Sequence, residues 1–434
     1  MQELPSGITS ILNNLCALHY FEDAFLLSLI SILFITDNFP PEVNAPATRT
    51  YEHCREWVRA GAKVTVVTCV PNFPAGKVFK GYRNKLFQKE EVDGIQVIRV
   101  WSYIAKNKGV LKRIIDYLSF SLSAICVSFF LQRPDIIVAT SPQFFSAVAG
   151  KYISFFRRRP WIMEVRDIWP ESIAAVNAIR NKRIYRFLEK MELSLYHSAQ
   201  KIIVVTDSFK ENLISRNIDE SKIAVIKNGI DPNQYFPREK NHELLKALEL
   251  EDKIVVGYIG TLGLAHKLEF VLNCIQKIED PRIHFLFIGE GAEKQKLQKK
   301  ARDEHLERVH FLNSVNKDVI PEYLSIIDVA LIPLKKSSTF MSVLPSKIFE
   351  SAAMGIPILL GVEGEAKQLV EAYKAGLCYE PENEMDFLDK LNTLCHDQLL
   401  RSTLGKGGRQ LAMHFDRKLL AKEMLKIIVS QSNK

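Results

Sequence analysis

The strongest constraint on this chain is a pattern that occurs twice: short apolar runs alternating with longer segments of helical periodicity. In the first half the runs are SILFIT (31–36), KVTVVTC (63–69), IQVIRVW (95–101), PDIIVAT (134–140), WIMEV (161–165), KIIVVT (201–206) and KIAVI (222–226). Helical stretches such as ATRTYEHCREWVRAG (47–61), closed by a glycine, lie between several of them. A second series begins near 253 with KIVVGYIG, IHFLFIG, VHFL, VALIPL and IPILL. Strands that are nearly continuous apolar runs are covered on both faces, which argues for parallel sheets flanked by helices. With 434 residues the chain is too long for one core. The prediction is an α/β chain of two Rossmann-like domains whose parallel sheets face a central cleft.

KNGIDPNQYFPREKN (227–241), with its Asn-Gly, Asp-Pro and later proline, marks the joint. The expected boundaries are an extension over 1–30, a first domain over 31–227, a linker over 228–241, a second domain over 242–415 and a terminal helix over 416–434. That helix is free to pack back on the first domain. AFLLSLISILFI (24–35) is apolar, but acidic residues precede it and no small-residue cleavage site follows. We read residues before the first strand as an extension outside the fold, with an N-terminal membrane hairpin as the alternative.

Hydrophobic residues make up 47% and charged residues 25%, which excludes extensive disorder. A net charge of +8 fits either a solvated basic surface or an anionic partner such as a membrane face or a phosphorylated ligand. No nucleic-acid motif accompanies it, so nucleic acid is not an expected partner. The seven cysteines are scattered without a CxxC pair, and the ten histidines form no HExxH spacing. Reduced thiols, a cytoplasmic setting and no metal site are therefore expected.

Ligands of open parallel sheets bind beyond the carboxyl ends of the strands, so the loops there carry the chemistry. In LPSKIFESAAMGIPILL (344–360), Pro345 and Ser346 start a helix, and Lys347 and Glu350 share a face of its first turn. A helix N-terminus and a lysine favour a phosphate, and a carboxylate beside them accepts hydrogen bonds from a vicinal diol such as a ribose. VVGYIGTLGLAHK (255–267) places Gly257, Gly260 and Gly263 between a strand and a helix, with Lys267 near the helix start. That spacing departs from the dinucleotide fingerprint, and the glycines either admit a diphosphate or only relieve a turn. FIGEGAEKQKLQKKA (287–301) repeats the device with Gly289 and Gly291.

In the first half, TDNFPPEVNAPATR (36–49) is a long polar loop after a strand, and EVRDIWPES (164–172) gathers Glu164, Arg166, Asp167 and Glu171 around Trp169. Such a cluster is either a functional cleft or a structural ion-pair network. ATSPQFF (139–145) adds hydroxyls and rings nearby. At 106–134, Lys106, Lys108, Lys112 and Arg113 precede an apolar run of 18 residues that Asp116 interrupts. The run is short of the ~20 residues of a spanning helix. A helix lying on an anionic bilayer and a buried domain helix fit equally.

With these motifs in order, the chain resembles the retaining GT-B glycosyltransferases of family 4 from residue 31 to 434. NGIDPNQYFP (228–237) is similar to that family's interdomain signature, and GYIGTLG, IGEGAE and PSKIFESAAMGIP follow in the expected order. FPPEVNAPATRTYEH, PNFPAGKVFKGYRNK, ATSPQFF, RDIWPESI and GTLGLAH are similar to the WbuB-type branch, which includes N-acetylfucosamine transferases of O-antigen and capsule assembly. The resemblance implies a nucleotide-sugar donor, UDP-linked, held mainly by the second domain. It also implies a lipid-linked saccharide acceptor at the first domain and a peripheral place on the inner face of the plasma membrane. The donor is a substrate, so no cofactor is expected. Glu350 matches the second acid of the family's Glu-x7-Glu motif, the ribose ligand, whereas the first acid is replaced by Ser342. On the phosphate side the resemblance implies Ser346, Lys347, Gly260, Thr261, His266 and Lys267, with Gly289 and Gly291 beside the nucleotide. Asp167 stands where relatives carry a catalytic or acceptor-contacting group, with Asn44, Ser141, Arg166 and Trp169 on the acceptor side. Asn44 and Ala45 replace the Gly-Gly pair of many relatives. An epimerase or hydrolase of the same fold and a non-catalytic nucleotide-sugar-binding assembly protein are the competing readings.

Overall fold

The computed structural model describes residues 30–73, 76–104, 110–141, 143–171 and 181–432. The extension up to residue 29, together with Lys106 and Lys108, lies outside them. The chain divides into two compact units, one comprising residues up to Val205 with Lys210–Ile226 and Lys418–Lys434, the other Thr206–Phe209 and Lys227–Arg417.

The first unit is built on an eight-stranded sheet of order β3-β4-β2-β1-β5-β6-β7-β8. Its strands are β1 (Ser31–Ile35), β2 (Lys63–Cys69), β3 (Phe87–Val92), β4 (Ile95–Val100), β5 (Ile136–Thr140), β6 (Trp161–Val165), β7 (Lys201–Val204) and β8 (Ile223–Val225). Every pairing is parallel except β3 with β4. β3 was not foreseen because FQKEEV alternates between half-buried and exposed positions and has no apolar run. Asp93 and Gly94, with φ of 50° and 76°, make the two-residue turn that folds it onto β4. Its charged side chains then guard the sheet edge.

Helices α1 (Ala45–Arg59), α2 (Val110–Ser128), α3 (Phe144–Arg157), α4 (Lys182–Ser198) and α5 (Asp207–Ser215) connect these strands. The last helix of the chain, Arg417–Ser432, buries Leu420, Ala421, Met424, Leu425 and Ile428 at helical spacing. It docks on α1, where Trp57 Nε1 donates to Ala421 O at 2.8 Å and His53 Nδ1 meets Met424 sulfur at 3.3 Å. α2 is neither wholly buried nor wholly exposed: Phe120, Ala124 and Val127 face the core, whereas Ile115, Leu118 and Leu122 face outward. Among the described residues no helix is long and apolar enough to cross a membrane.

The second unit holds a six-stranded, wholly parallel sheet of order β11-β10-β9-β12-β13-β14. The strands are β9 (Ile254–Ile259), β10 (Ile283–Ile288), β11 (Val309–Leu312), β12 (Val329–Pro333), β13 (Ile358–Gly361) and β14 (Gly376–Cys378). β14 is a three-residue edge strand, too short to show as an apolar run. Helices α6 (His242–Ala247), α7 (Leu268–Ile275), α8 (Lys294–Asp303), α9 (Ile320–Ser325), α10 (Ser346–Ala353), α11 (Glu365–Ala372), α12 (Glu384–His396) and α13 (Gln398–His414) complete it, and the chain-terminal helix becomes α14. Two apolar clusters cover the faces of the sheet, one including Phe349 and Ile348, the other Phe285 and Phe287. Strand order reverses between β1 and β5 in the first sheet and between β9 and β12 in the second. Open α/β sheets bind ligands at such reversals.

Candidate active site

At the β9/β12 reversal of the second sheet, the loop after β9 meets the first turn of α10. Pro345 precedes that helix without a side-chain cap, so the first N–H groups of α10 are left for another acceptor. Lys347 reaches back over the β9 loop, with Nζ 5.1 Å from the centre of the Tyr258 ring. Gly260 makes room for it: a Cβ there would sit 2.5 Å from Lys347 Cε and 2.6 Å from Nζ. Burial lowers the Lys347 pKa against the opposing pull of Glu350, and burial raises that of Glu350 against Lys347 and Lys317. Both groups are thus pushed towards neutrality. Among the described residues no hydrogen bond or direct ion pair joins them.

The neighbouring residues divide into contact and support. Tyr258 OH donates to Thr261 O at 2.6 Å, fixing the turn. His266 lies edge-on to Tyr258, and its Nδ1 is 3.3 Å from Pro333 O. Burial, reinforced by Lys347, takes its pKa down to about 4. The ring is neutral near pH 7, so at its expected place beside the diphosphate His266 brings a hydrogen-bonding group rather than a charge. With Nδ1 donating to Pro333, its Nε2 accepts instead, which suits a hydroxyl. Lys267 Nζ lies 3.8 Å from Glu382. Gly289 and Gly291 serve loop packing: a Cβ would stand 1.9 Å from Gly260 O at the first and 2.2 Å from Leu262 O at the second. They hold the β10 loop against the β9 loop. Ser346 is the first residue of α10.

Sequence reasoning missed Tyr235. It is 1% exposed, and its hydroxyl has no hydrogen-bond partner among the described residues. Burial raises its pKa first, then the charges of Glu350 and Asp318. A buried hydroxyl without a partner is destabilising. Tyr235→Phe is therefore expected to stabilise the second unit by about 1 kcal/mol. A lowered melting point in differential scanning calorimetry would show that the hydroxyl is satisfied.

In the first unit, the β1/β5 reversal brings together the loops after β1, β5 and β6. Glu164, expected in the charged cluster, is buried at 1% exposure and paired with Arg49 of α1, Nε to Oε1 at 2.9 Å. Arg49, followed by Arg166, takes its pKa down to about 2 despite burial. Glu164 is a structural anchor and leaves the cluster. Ser141, 3% exposed, accepts from Arg166 N at 2.9 Å, so its hydroxyl joins two loops from below and offers a sugar no surface. Asn44 caps α1, accepting from Ala47 N at 2.9 Å while Nδ2 donates to Asn38 Oδ1 at 2.6 Å. Both ends of that amide are engaged, so Asn44 too shapes the loop.

Arg166, Asp167 and Trp169 remain, each half-buried in the loop after β6. Arg166 Nη2 donates to Ala45 O at 3.3 Å, whereas Nε and Nη1 have no partner among the described residues. Burial brings its pKa down to about 10. Burial also raises that of Asp167, against Arg166. Trp169 stacks on Phe144 at 4.6 Å and 26°, forming the flat apolar wall that a sugar face suits. Asp37, which directly follows the apolar run of β1, was missed. Burial, then Asp116 and Glu42, push its pKa up to about 7. Among the described residues no group of three or more His, Cys, Asp or Glu could hold a metal ion.

Known proteins match this arrangement in order. Residues 46–234 match the family described as Glycosyltransferase Family 4, and residues 240–411 match Glycosyl transferases group 1. WcaI of Escherichia coli (strain K12), named as a glycosyl transferase of colanic acid biosynthesis, is 24% identical over 82% of this chain and 89% of its own. The Campylobacter jejuni N,N'-diacetylbacillosaminyl-diphospho-undecaprenol alpha-1,3-N-acetylgalactosaminyltransferase is 27% identical over 53% of this chain and 60% of its own. Anabaena HepE, solved in complex with UDP-glucose, superposes with a TM-score of 0.69 at 18% identity, over 92% of this chain and all (100%) of its own. Matched in sequence across both halves and in fold throughout, the chain belongs to the family 4 GT-B glycosyltransferases.

Proposed function

We propose that this enzyme transfers a sugar, with retention of anomeric configuration, from a UDP-sugar to a lipid-linked saccharide in surface polysaccharide assembly. The observation that carries the donor reading is the pair Lys347 and Glu350 on the first turn of α10. Burial drives both towards neutrality against their mutual attraction, and among the described residues no direct ion pair joins them. A diphosphate between Lys347 and the open N–H groups of α10 restores the lysine's charge, and a ribose diol donates to the carboxylate. Lysine and helix end together stabilise the leaving diphosphate without a metal. HepE binds UDP-glucose on the same fold, and the Campylobacter relative is named for a diphospho-undecaprenol acceptor. Resemblance to the WbuB-type branch favours an N-acetylated deoxyhexosamine as the sugar and a peripheral place on the inner membrane face.

On the acceptor side, Trp169 gives a sugar its stacking surface, and Asp167 orients the attacking hydroxyl. The raised pKa of Asp167 suits a proton acceptor, although in a retaining reaction the leaving diphosphate serves as base as well. Asp167→Asn is expected to lower kcat about a hundredfold while UDP affinity stays unchanged. Equal losses in both would remove it from the acceptor side. Calorimetric titration with UDP, GDP, ADP and NAD tests the whole reading. UDP should bind tightest, and preference for another nucleotide would overturn the assigned donor.

A further inference from the structure

The buried hydroxyl of Tyr235 is a cost that the free protein carries without return. The residue ends a short turn in which its N–H donates to Asp231 O at 3.0 Å. Its ring packs in the apolar cluster that also holds Ile348, Phe349 and Ala352 of α10, which seats it against the helix start that bears Glu350. At 1% exposure the side chain is closed off from bulk water, and among the described residues the hydroxyl has no hydrogen-bond partner. Two charges bear on it, Glu350 before Asp318. Phenylalanine would fill the same space without stranding a donor. A destabilising group kept beside a ligand site points to a demand that arises only when the ligand is bound.

Glu350 supplies that demand. In the free protein burial raises its pKa, against the pull of Lys347 and Lys317. A ribose diol donating to the carboxylate holds it in the charged form, while the diphosphate draws Lys347 towards itself. An ionised carboxylate offers about four acceptor positions, so a diol leaves others open. On a buried charge an open acceptor is costly. Asp318 makes no such demand, because it is exposed and solvated. A neutral hydroxyl answers the need of Glu350 without adding a cation that would compete with Lys347 for the ligand.

We propose that Tyr235 is a positioning residue of the donor site, its hydroxyl donating to the Glu350 carboxylate once a ribose diol holds that carboxylate charged. This rests on the donor reading of Glu350 given above. Tyr235 acts through Glu350 and touches no reacting atom, so it sets donor affinity and leaves the chemical step alone.

The test is calorimetric titration of the full chain with UDP and with 2′,3′-dideoxy-UDP, which lacks the diol. The wild type should prefer UDP. Tyr235→Phe should weaken UDP binding about tenfold, the loss of one hydrogen bond to a charged acceptor, and leave the affinity for the dideoxy compound unchanged. In a Glu350→Gln background the same change should have little effect, because no charged carboxylate remains to be served. UDP affinity of the wild type should fall as the pH drops and Glu350 takes up a proton. Tyr235→Phe should move that fall to higher pH, since the charged form has lost a donor. Unchanged UDP affinity in Tyr235→Phe, with the wild type still discriminating between the two nucleotides, would overturn the role of Tyr235 alone. An equal loss for both nucleotides would make the hydroxyl a structural support and overturn it too. A wild type that does not discriminate would take the ribose away from Glu350, and the donor reading would fall together with this inference.

Discussion

Replacing Arg49 by methionine is expected to destabilise the first unit by about 3–5 kcal/mol, the cost of leaving a buried carboxylate without its cation. Arg49 and Glu164 are 3% and 1% exposed, and Nε meets Oε1 at 2.9 Å. Arg49 Nη2 also donates to Ile226 O at 3.0 Å, so one side chain ties α1 to β6 and to the segment after β8. All four tryptophans, Trp57, Trp101, Trp161 and Trp169, belong to the first unit, so tryptophan emission during urea unfolding reports on that unit. A loss below about 1 kcal/mol would mean that the pair is effectively solvated. Adding Glu164→Leu to Arg49→Met should recover much of the loss, because no charge then remains to be buried.

The same pair sets an acid limit. Glu164 titrates at about 2 in the fold, below its ordinary value of 4.5. Between these values the unfolded chain holds the proton and the folded chain does not, so protonation favours unfolding. Its stabilisation is complete above about pH 4.5 and disappears as the pH falls towards 2. In Arg49→Met the carboxylate loses its main cation, and acid sensitivity should begin at higher pH.

Glu350→Ala should weaken UDP binding by about 2–4 kcal/mol, the loss of one or two hydrogen bonds to a charged acceptor. The effect on folding should have the opposite sign or be small, because burial already disfavours the charged carboxylate in the folded protein. Calorimetric affinity and melting temperature measured on one preparation therefore separate a ligand contact from a structural role. Unchanged affinity would take Glu350 out of the donor site, and a large drop in melting temperature would make it a structural residue like Glu164.

These two carboxylates show what local sequence conveys. Glu164 lies near the carboxyl end of β6 and Glu350 near the start of α10, and each lies within a few residues of a cation. Lys347 and Glu350 were legible because one helical turn brings them to a single face, and a helix start supplies its own field. Glu164 stayed undecided between cleft and ion-pair network because its cation is 115 residues away in sequence, on a helix that packs against β6 only in the folded unit. Gly260 and Gly289 illustrate the same boundary. Their positions after strands mark them as turn residues, but only the packed loops show Lys347 over one and a backbone carbonyl against the other.

By itself the sequence determined two parallel α/β sheets, the positions of their main strands along the chain and the helix start that bears Lys347 and Glu350. These rest on local periodicity and short-range spacing, which a linear pattern records. Tertiary structure decided which charged groups are anchors and which face ligand, the neutral state of His266 and the orphaned hydroxyl of Tyr235. Each depends on desolvation and on partners remote in the chain, and burial is a property of the assembled core rather than of any segment within it.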